Sequence, residues 1–191
     1  MDEGMDPELV ARAQRGDQRA FEHLTLDVYH RLHTVAFGIL RDASLAEDAI
    51  QQTVLTMWRE LPKLREPARF EGWTYRILVN ACHAEGRRLK RWITTFETRI
   101  LERPGAIEHA GTVLDRDQLE RAFRRLSVDH RAIVVLRYYT DLTIPAIAEA
   151  LDIPSGTVSS RLHHAMKALR ASLEADERAP LPINEPPEAP A

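Results

Sequence analysis

The stretch from Thr143 to Arg170, TIPAIAEALDIPSGTVSSRLHHAMKALR, constrains the fold more than any other part of the chain. Two short helical patterns meet at Asp152-Ile153-Pro154. The first places Ile144, Ile147, Ala148 and Leu151 on one face, and the second places Val158, Leu162, Ala165 and Leu169 at helical spacing. Ala148 is small enough for close helix approach, and Asp152 can enter the left-handed backbone region that a sharp turn needs. Ser155 is expected to cap the second helix, with Gly156-Thr157-Val158 as its first turn. The pattern is that of a helix-turn-helix whose second helix suits a DNA major groove. An ordinary αα-hairpin would share the apolar periodicity. It would not explain the outward positions: Ser159, Ser160, Arg161, His163, His164 and Lys167 are short or cationic, where a merely solvated helix mixes signs.

The remaining sequence extends this helical reading. Leu, Ala, Arg and Glu are plentiful, whereas only 8 of the 191 residues are Gly and 6% are aromatic, so an all-α fold is expected. No apolar run approaches 18 residues and the acidic N-terminus has no apolar core, so neither a membrane span nor a signal peptide is expected. The single cysteine, Cys82, suits a reducing cytoplasm and reads as a small buried residue. The net charge of −3 conceals segregation. Residues 1–58 hold 5 Arg against 10 Asp and Glu, whereas residues 59–91 hold 9 Lys and Arg against 4 acids. Residues 115–170 are also net positive, so two separate contacts with nucleic acid are possible.

In chain order, Met1 to Asp6 is expected to be disordered and Pro7 to open a helix. After a break at Gly16-Asp17, a long helix is expected from Gln18 to Leu40. Within it His30 and His33 share a face, but no cysteine or carboxylate cluster completes a ligand set, so they read as surface residues and no metal is expected. Ser44-Leu45-Ala46-Glu47 reads as a capping box for a helix to about Leu61, with Ala49, Ile50, Thr53, Val54, Met57, Trp58 and Leu61 as its core stripe. Pro62 ends it. A further helix runs from Phe70 to about Arg91, with Phe70, Trp73, Ile77, Ala81 and Ala84 inward and Tyr75 among the outward polar groups. The Pro104-Gly105 break marks residues 92–113 as a flexible linker. From Leu114, Leu119, Ala122, Phe123 and Leu126 are expected inward. Ser127 can then cap a helix to about Tyr139. Residues 172–191, rich in Pro, Glu and Ala, read as a disordered acidic tail.

Three blocks in this order resemble a known family. Leu45 to Val54 with Trp58 looks like a polymerase-binding helix, Arg69 to Asn80 like a promoter-melting segment, and Gly156 to His163 like a recognition helix. Together, over roughly residues 7–171, they resemble the extracytoplasmic-function group of sigma-70 initiation factors. The resemblance implies two small helical domains, region 2 at residues 1–91 and region 4 at 114–171. It implies core RNA polymerase and promoter DNA as partners in the bacterial cytoplasm, with neither a cofactor nor catalytic residues. Members of the family are often held inactive by an anti-sigma protein, so that class of partner comes with the resemblance.

Residue by residue, Asp48, Gln51 and Gln52 match the polymerase-binding positions. Leu64, Arg65, Trp73, Arg76, Asn80, Arg87 and Arg88 fall on the segment that captures and melts the −10 element. Thr157, Ser159, Ser160, Arg161, His163, His164 and Lys167 fall on the helix that reads the −35 element. Leu64 stands where an aromatic is common, Pro67 is atypical, His164 replaces a frequent Arg, and Asp152 replaces the usual turn Gly. Two other readings share parts of this pattern. One is a helix-turn-helix regulator that acts without polymerase; the other is a sigma-like decoy that binds a partner but no promoter. The Trp73–Asn80 block beside its basic run is a feature that a duplex-only regulator does not need.

Overall fold

The computed structural model describes residues 5–96 and 113–178. It is all-α, with no strand among the described residues. Four helices form the first half: α1 (Pro7–Gln14), α2 (Gln18–Leu40), α3 (Ala43–Glu60) and α4 (Phe70–Phe96). Four more form the second: α5 (Val113–Arg125), α6 (Val128–Tyr138), α7 (Ile144–Leu151) and α8 (Ser155–Arg178). Short 3₁₀ turns at Leu61–Lys63 and Pro67–Arg69 join α3 to α4.

The apolar spacing on α2 buries Leu24, Val28, Leu32, Val35, Ala36 and Ile39 as expected. They pack against Ala46, Ala49, Ile50 and Met57 of α3 and against Phe70, Leu78, Val79 and Cys82 of α4. The same core continues into the second half through Ala132, Ile133, Leu136, Ile147 and Val158. A smaller cluster of Ala122, Leu126, Val134, Ala165 and Leu169 holds α5 to α6 and α8. The two halves are therefore packed together rather than held only by their connection. Cys82 lies in this core, and burial pushes its thiol up to about 12, so it is not a nucleophile at neutral pH.

Several local expectations are corrected. Asp6, expected in a disordered start, accepts from the Glu8 N–H and caps α1. The cap of α3 is Asp42, whose carboxylate accepts from the Leu45 N–H at 2.9 Å. Ser44 thus lies inside the first turn, and Glu47 turns away toward His33 and Tyr29. Trp58 is 44% exposed, its ring edge-on to Phe21 at 4.9 Å. On α4 the buried stripe is rotated from the expected one: Thr74, Tyr75, Leu78 and Cys82 are inside, whereas Ala84 is exposed. The cause is that α4 meets α2, α3 and the second half at once, and its polar Thr74 hydroxyl is satisfied by the Phe70 carbonyl at 2.8 Å. Leu119 is 48% exposed.

Two boundaries also move. Helix α4 continues through Trp92–Phe96, and α8 runs to Arg178 into the expected tail. The rest of the linker at 97–112, the start at 1–4 and the tail at 179–191 lie outside the described residues.

The cap assignment is directly testable. Asp42→Ala should cost about 0.5–2 kcal/mol, whereas Ser44→Ala should stay within about 0.5 kcal/mol of the parent. Denaturant unfolding of the full chain reads both.

Candidate nucleic-acid interface

The helix-turn-helix forms where the sequence placed it. The Thr143 hydroxyl accepts from the Ala146 N–H and caps α7, with Pro145 in the first turn. The turn closes when the Asp152 N–H donates to the Glu149 carbonyl at 3.3 Å and the Ile153 N–H to the Ala148 carbonyl at 3.0 Å. That pairing is a Schellman motif and requires a left-handed residue, which is Asp152 at φ 55°, ψ 47°. Ser155 is the first residue of α8 rather than its cap. The Pro154 carbonyl accepts from the Thr157 and Val158 N–H groups instead.

Val158, Ala165 and Leu169 anchor α8 inward. Opposite them Ser159, Ser160, His163, His164 and Lys167 are exposed, and Thr157 and Arg161 are half-buried. Arg161 is not wholly available, because its Nη1 lies 3.5 Å from Oδ1 of Asp129 in the first turn of α6. The same carboxylate lies 3.4 Å from His83 Nε2 on α4, too poorly aligned for a hydrogen bond. Burial of His83 pushes its pKa below the ordinary value, against the pull of Asp129.

A second surface lies along α4 and the turn before it. Trp73, Arg76, Asn80 and Arg87 are spaced i, i+3, i+7 and i+14, so they share one helix face. Arg76, Asn80 and Arg87 are exposed, and Trp73 is half-buried against Phe70 with ring centroids 6.0 Å apart. The preceding turn is pinned from α1, where Gln14 Nε2 donates to the carbonyls of Leu61 at 3.2 Å and Leu64 at 2.5 Å. This leaves Leu64 half-buried and Arg65 exposed beside Trp73. Arg88 does not join the row. It lies on the α3 side, 3.2 Å from Glu85 and 3.9 Å from Asp48.

On α3, Gln51 and Gln52 are exposed and Asp48 is half-buried. The sequence reading missed two exposed leucines: Leu55 is 63% exposed on α3, on the same helix as these residues, and Leu26 is 67% exposed on α2. The available signal was Leu55 itself, which falls three and four residues after Gln52 and Gln51 on a face that is otherwise polar. Among the described residues no group of three or more His, Cys, Asp or Glu could hold a metal ion, and His33 lies 3.3 Å from Glu47 alone.

The left-handed turn makes a second prediction. Asp152→Gly should be neutral or stabilising, and Asp152→Val should cost about 1–2 kcal/mol. Thermal melts of the two variants check the order.

Comparison with known proteins agrees with this geometry. Residues 24–93 match Sigma-70 region 2, and residues 116–169 match Sigma-70, region 4. The RNA polymerase sigma-H factor of Pseudomonas aeruginosa is 32% identical over 88% of this chain and 94% of its own. The ECF RNA polymerase sigma factor SigM of Mycobacterium tuberculosis is 34% identical over 87% of this chain and 84% of its own. Among solved structures, CnrH in complex with the cytosolic domain of CnrY aligns with a TM-score of 0.66 at 25% identity, over 90% of this chain and 98% of that one. Sigma factor RpoE of Bartonella quintana, in complex with the anti-sigma factor NepR, shares the fold with a TM-score of 0.65 at 22% identity, over 82% of this chain and 98% of that one. With two helical units, a helix-turn-helix in the second and matches spanning both, the chain belongs to the extracytoplasmic-function group of the sigma-70 family of RNA polymerase sigma factors.

Proposed function

We propose that this sigma factor divides promoter recognition between residues 1–91, which α4 extends to Phe96, and residues 114–171, which α8 extends to Arg178. The outer face of α3 docks on core RNA polymerase. Asp48, Gln51 and Gln52 give the contact its register, and Leu55 and Trp58 give it apolar area. The −10 element is held by the turn and α4. The single observation that carries this reading is the common face of Trp73, Arg76, Asn80 and Arg87 beside the pinned Leu64–Arg65 turn. An aromatic platform and a row of cations is what a single strand requires: stacking is worth about 1–3 kcal/mol per base, and arginines track the phosphates. Taking a base out of the stack costs a few kcal/mol, which these contacts must offset. Arg88, tied to Glu85 and Asp48, acts at the edge of this surface.

The −35 element is read as duplex. Ser159, Ser160 and His163 face base edges, whereas Arg161, His164 and Lys167 contact the backbone. Thr157 lies in the first turn of α8, where backbone N–H groups favour a phosphate. The chain makes and breaks no bond in this scheme, and its contribution is binding energy directed at an opened promoter. It acts in the bacterial cytoplasm. An anti-sigma protein holds it in reserve, a reading supported by RpoE of Bartonella quintana, which shares the fold and was solved with the anti-sigma factor NepR.

The test is a pull-down and run-off transcription assay with purified core RNA polymerase and a promoter library. Core binding and initiation from a two-element promoter are expected. DNA binding without core binding would instead favour a regulator. In the same assay Arg161→Ala should weaken binding across all sequences and reduce the salt slope by about 1. Ser160→Ala or His163→Ala should change preference by about 1–3 kcal/mol at one or two −35 positions.

A further inference from the structure

Helix α1 supports the −10 surface without lying on it. Its start is fixed by the Asp6 cap and by Pro7 in the first turn, and Val10 and Ala13 bury its inner face. Its end is fixed by Gly16, whose φ of 90° admits the sharp turn into α2, and by Arg12, whose Nη2 lies 2.6 Å from the Asp17 carboxylate. Gln14 is the last residue of α1 and lies four positions after Val10, so it continues the same side of the helix. Its side chain is thereby aimed at the two 3₁₀ turns between α3 and α4, against which α1 packs.

The Gln14 amide clamps that turn by its backbone. A carboxamide nitrogen carries two N–H donors, and Gln14 Nε2 reaches two carbonyls, Leu61 at 3.2 Å and Leu64 at 2.5 Å. The opposite orientation would set the amide oxygen against both carbonyl oxygens, so the donor assignment follows from the contacts. The Leu61 carbonyl also accepts from the Leu64 N–H at 3.1 Å, and the Glu66 carbonyl from the Arg69 N–H at 2.9 Å. The Arg65 N–H makes no hydrogen bond among the described residues, and Arg65 is exposed. Its direction is nevertheless set. In a planar trans peptide the carbonyl and the N–H point opposite ways, and the Leu64–Arg65 peptide is trans. Drawing the Leu64 carbonyl toward α1 therefore turns the Arg65 N–H away from it. Leu64, Arg65, Trp73 and Arg76 border one cleft.

We propose that Gln14 is a positioning residue for −10 base selection: it meets no DNA itself, and by holding the Leu64 carbonyl toward α1 it presents the Arg65 N–H to the captured base. The proposal rests on the assignment of the −10 element to this turn and α4. A donor selects among bases only if its direction is kept. A mismatched base then leaves a polar group unpaired, whereas a peptide free to rotate would pair with any base. Fixing the turn before DNA arrives also removes part of the ordering cost of capture.

Gln14→Met and Gln14→Glu in the full chain test it. Methionine keeps the length and loses the donors. Glutamate keeps the shape, but its ionised carboxylate faces both carbonyl oxygens, so it is the harsher change although it is the closer in size. Holoenzyme assembled from each variant and core polymerase is scored by run-off transcription on promoters carrying all four bases at every −10 position. The ratio of preferred to next base at the captured position should fall on the order of tenfold for Gln14→Met and further for Gln14→Glu. Preference at −35 and core retention in a pull-down should not change. A residue that only holds α1 in place would lower output on all promoters alike and leave the ratio intact. An unchanged ratio in both variants, or a glutamate milder than methionine, overturns the proposal. Asn80→Ala separates it from the reading beneath it. If Asn80→Ala shifts the −10 profile and Gln14→Met does not, the positioning role fails and the −10 assignment stands. If neither of these variants nor Arg76→Ala shifts any −10 position, the assignment fails and the proposal falls with it.

Discussion

Five consecutive residues of α6, Ala132 to Leu136, are buried. Successive helical residues are about 100° apart, so five of them cover the whole circumference, and no single neighbour can bury them all. Helix α6 is therefore wedged between α2 and α4 on one side and α7 and α8 on the other. Ile133 and Leu136 join the core of the first unit, whereas Val134 joins the satellite cluster beneath the recognition helix. The rest of the arrangement follows from this insertion. The glycines of α2 and α4 let α6 and α7 approach, and the helix-turn-helix is carried against the first unit as a consequence.

The electrostatics are similarly shared between the units. The basic block at residues 59–91 is not a uniform patch. Lys63 pairs with Glu60, Arg69 with Glu66 and Glu149, and Arg88 with Glu85. Among the described residues, no ion pair is formed by Arg65, Arg76 or Arg87, and these three lie on or beside the face that carries Trp73. Internal pairing thus narrows a diffuse positive segment to a few directed charges.

Much of this was legible in the residues. The helix-turn-helix, the span of α2, the Ser127 cap of α6 and the left-handed Asp152 all depend on spacing or on one residue's backbone preference. Local interactions decide such features. The failures have a common cause as well. Ser44 resembled a cap because Glu47 stands three residues later, but Asp42 reached the Leu45 N–H first. The α4 stripe was misplaced because a helix with several neighbours has no single inward face. Trp58 and Leu55 are apolar yet outward, an arrangement that periodicity alone assigns to the core or overlooks.

The sequence by itself determined the all-α class, the order of the helices, the turn chemistry of the helix-turn-helix and the family. Each of these is set by short-range preference or by motifs contiguous in the chain. Only the tertiary structure decided that the two units share one core, that Glu149 of α7 pairs with Arg69 before α4, and that Asp129 lies between His83 and Arg161. The residues of these contacts are 32 to 80 positions apart, and neither hydrophobic periodicity nor charge pattern specifies which distant surfaces meet. That choice belongs to shape: glycines at 38, 72 and 86 leave room, and Val135, Ala150 and Val128 fill it.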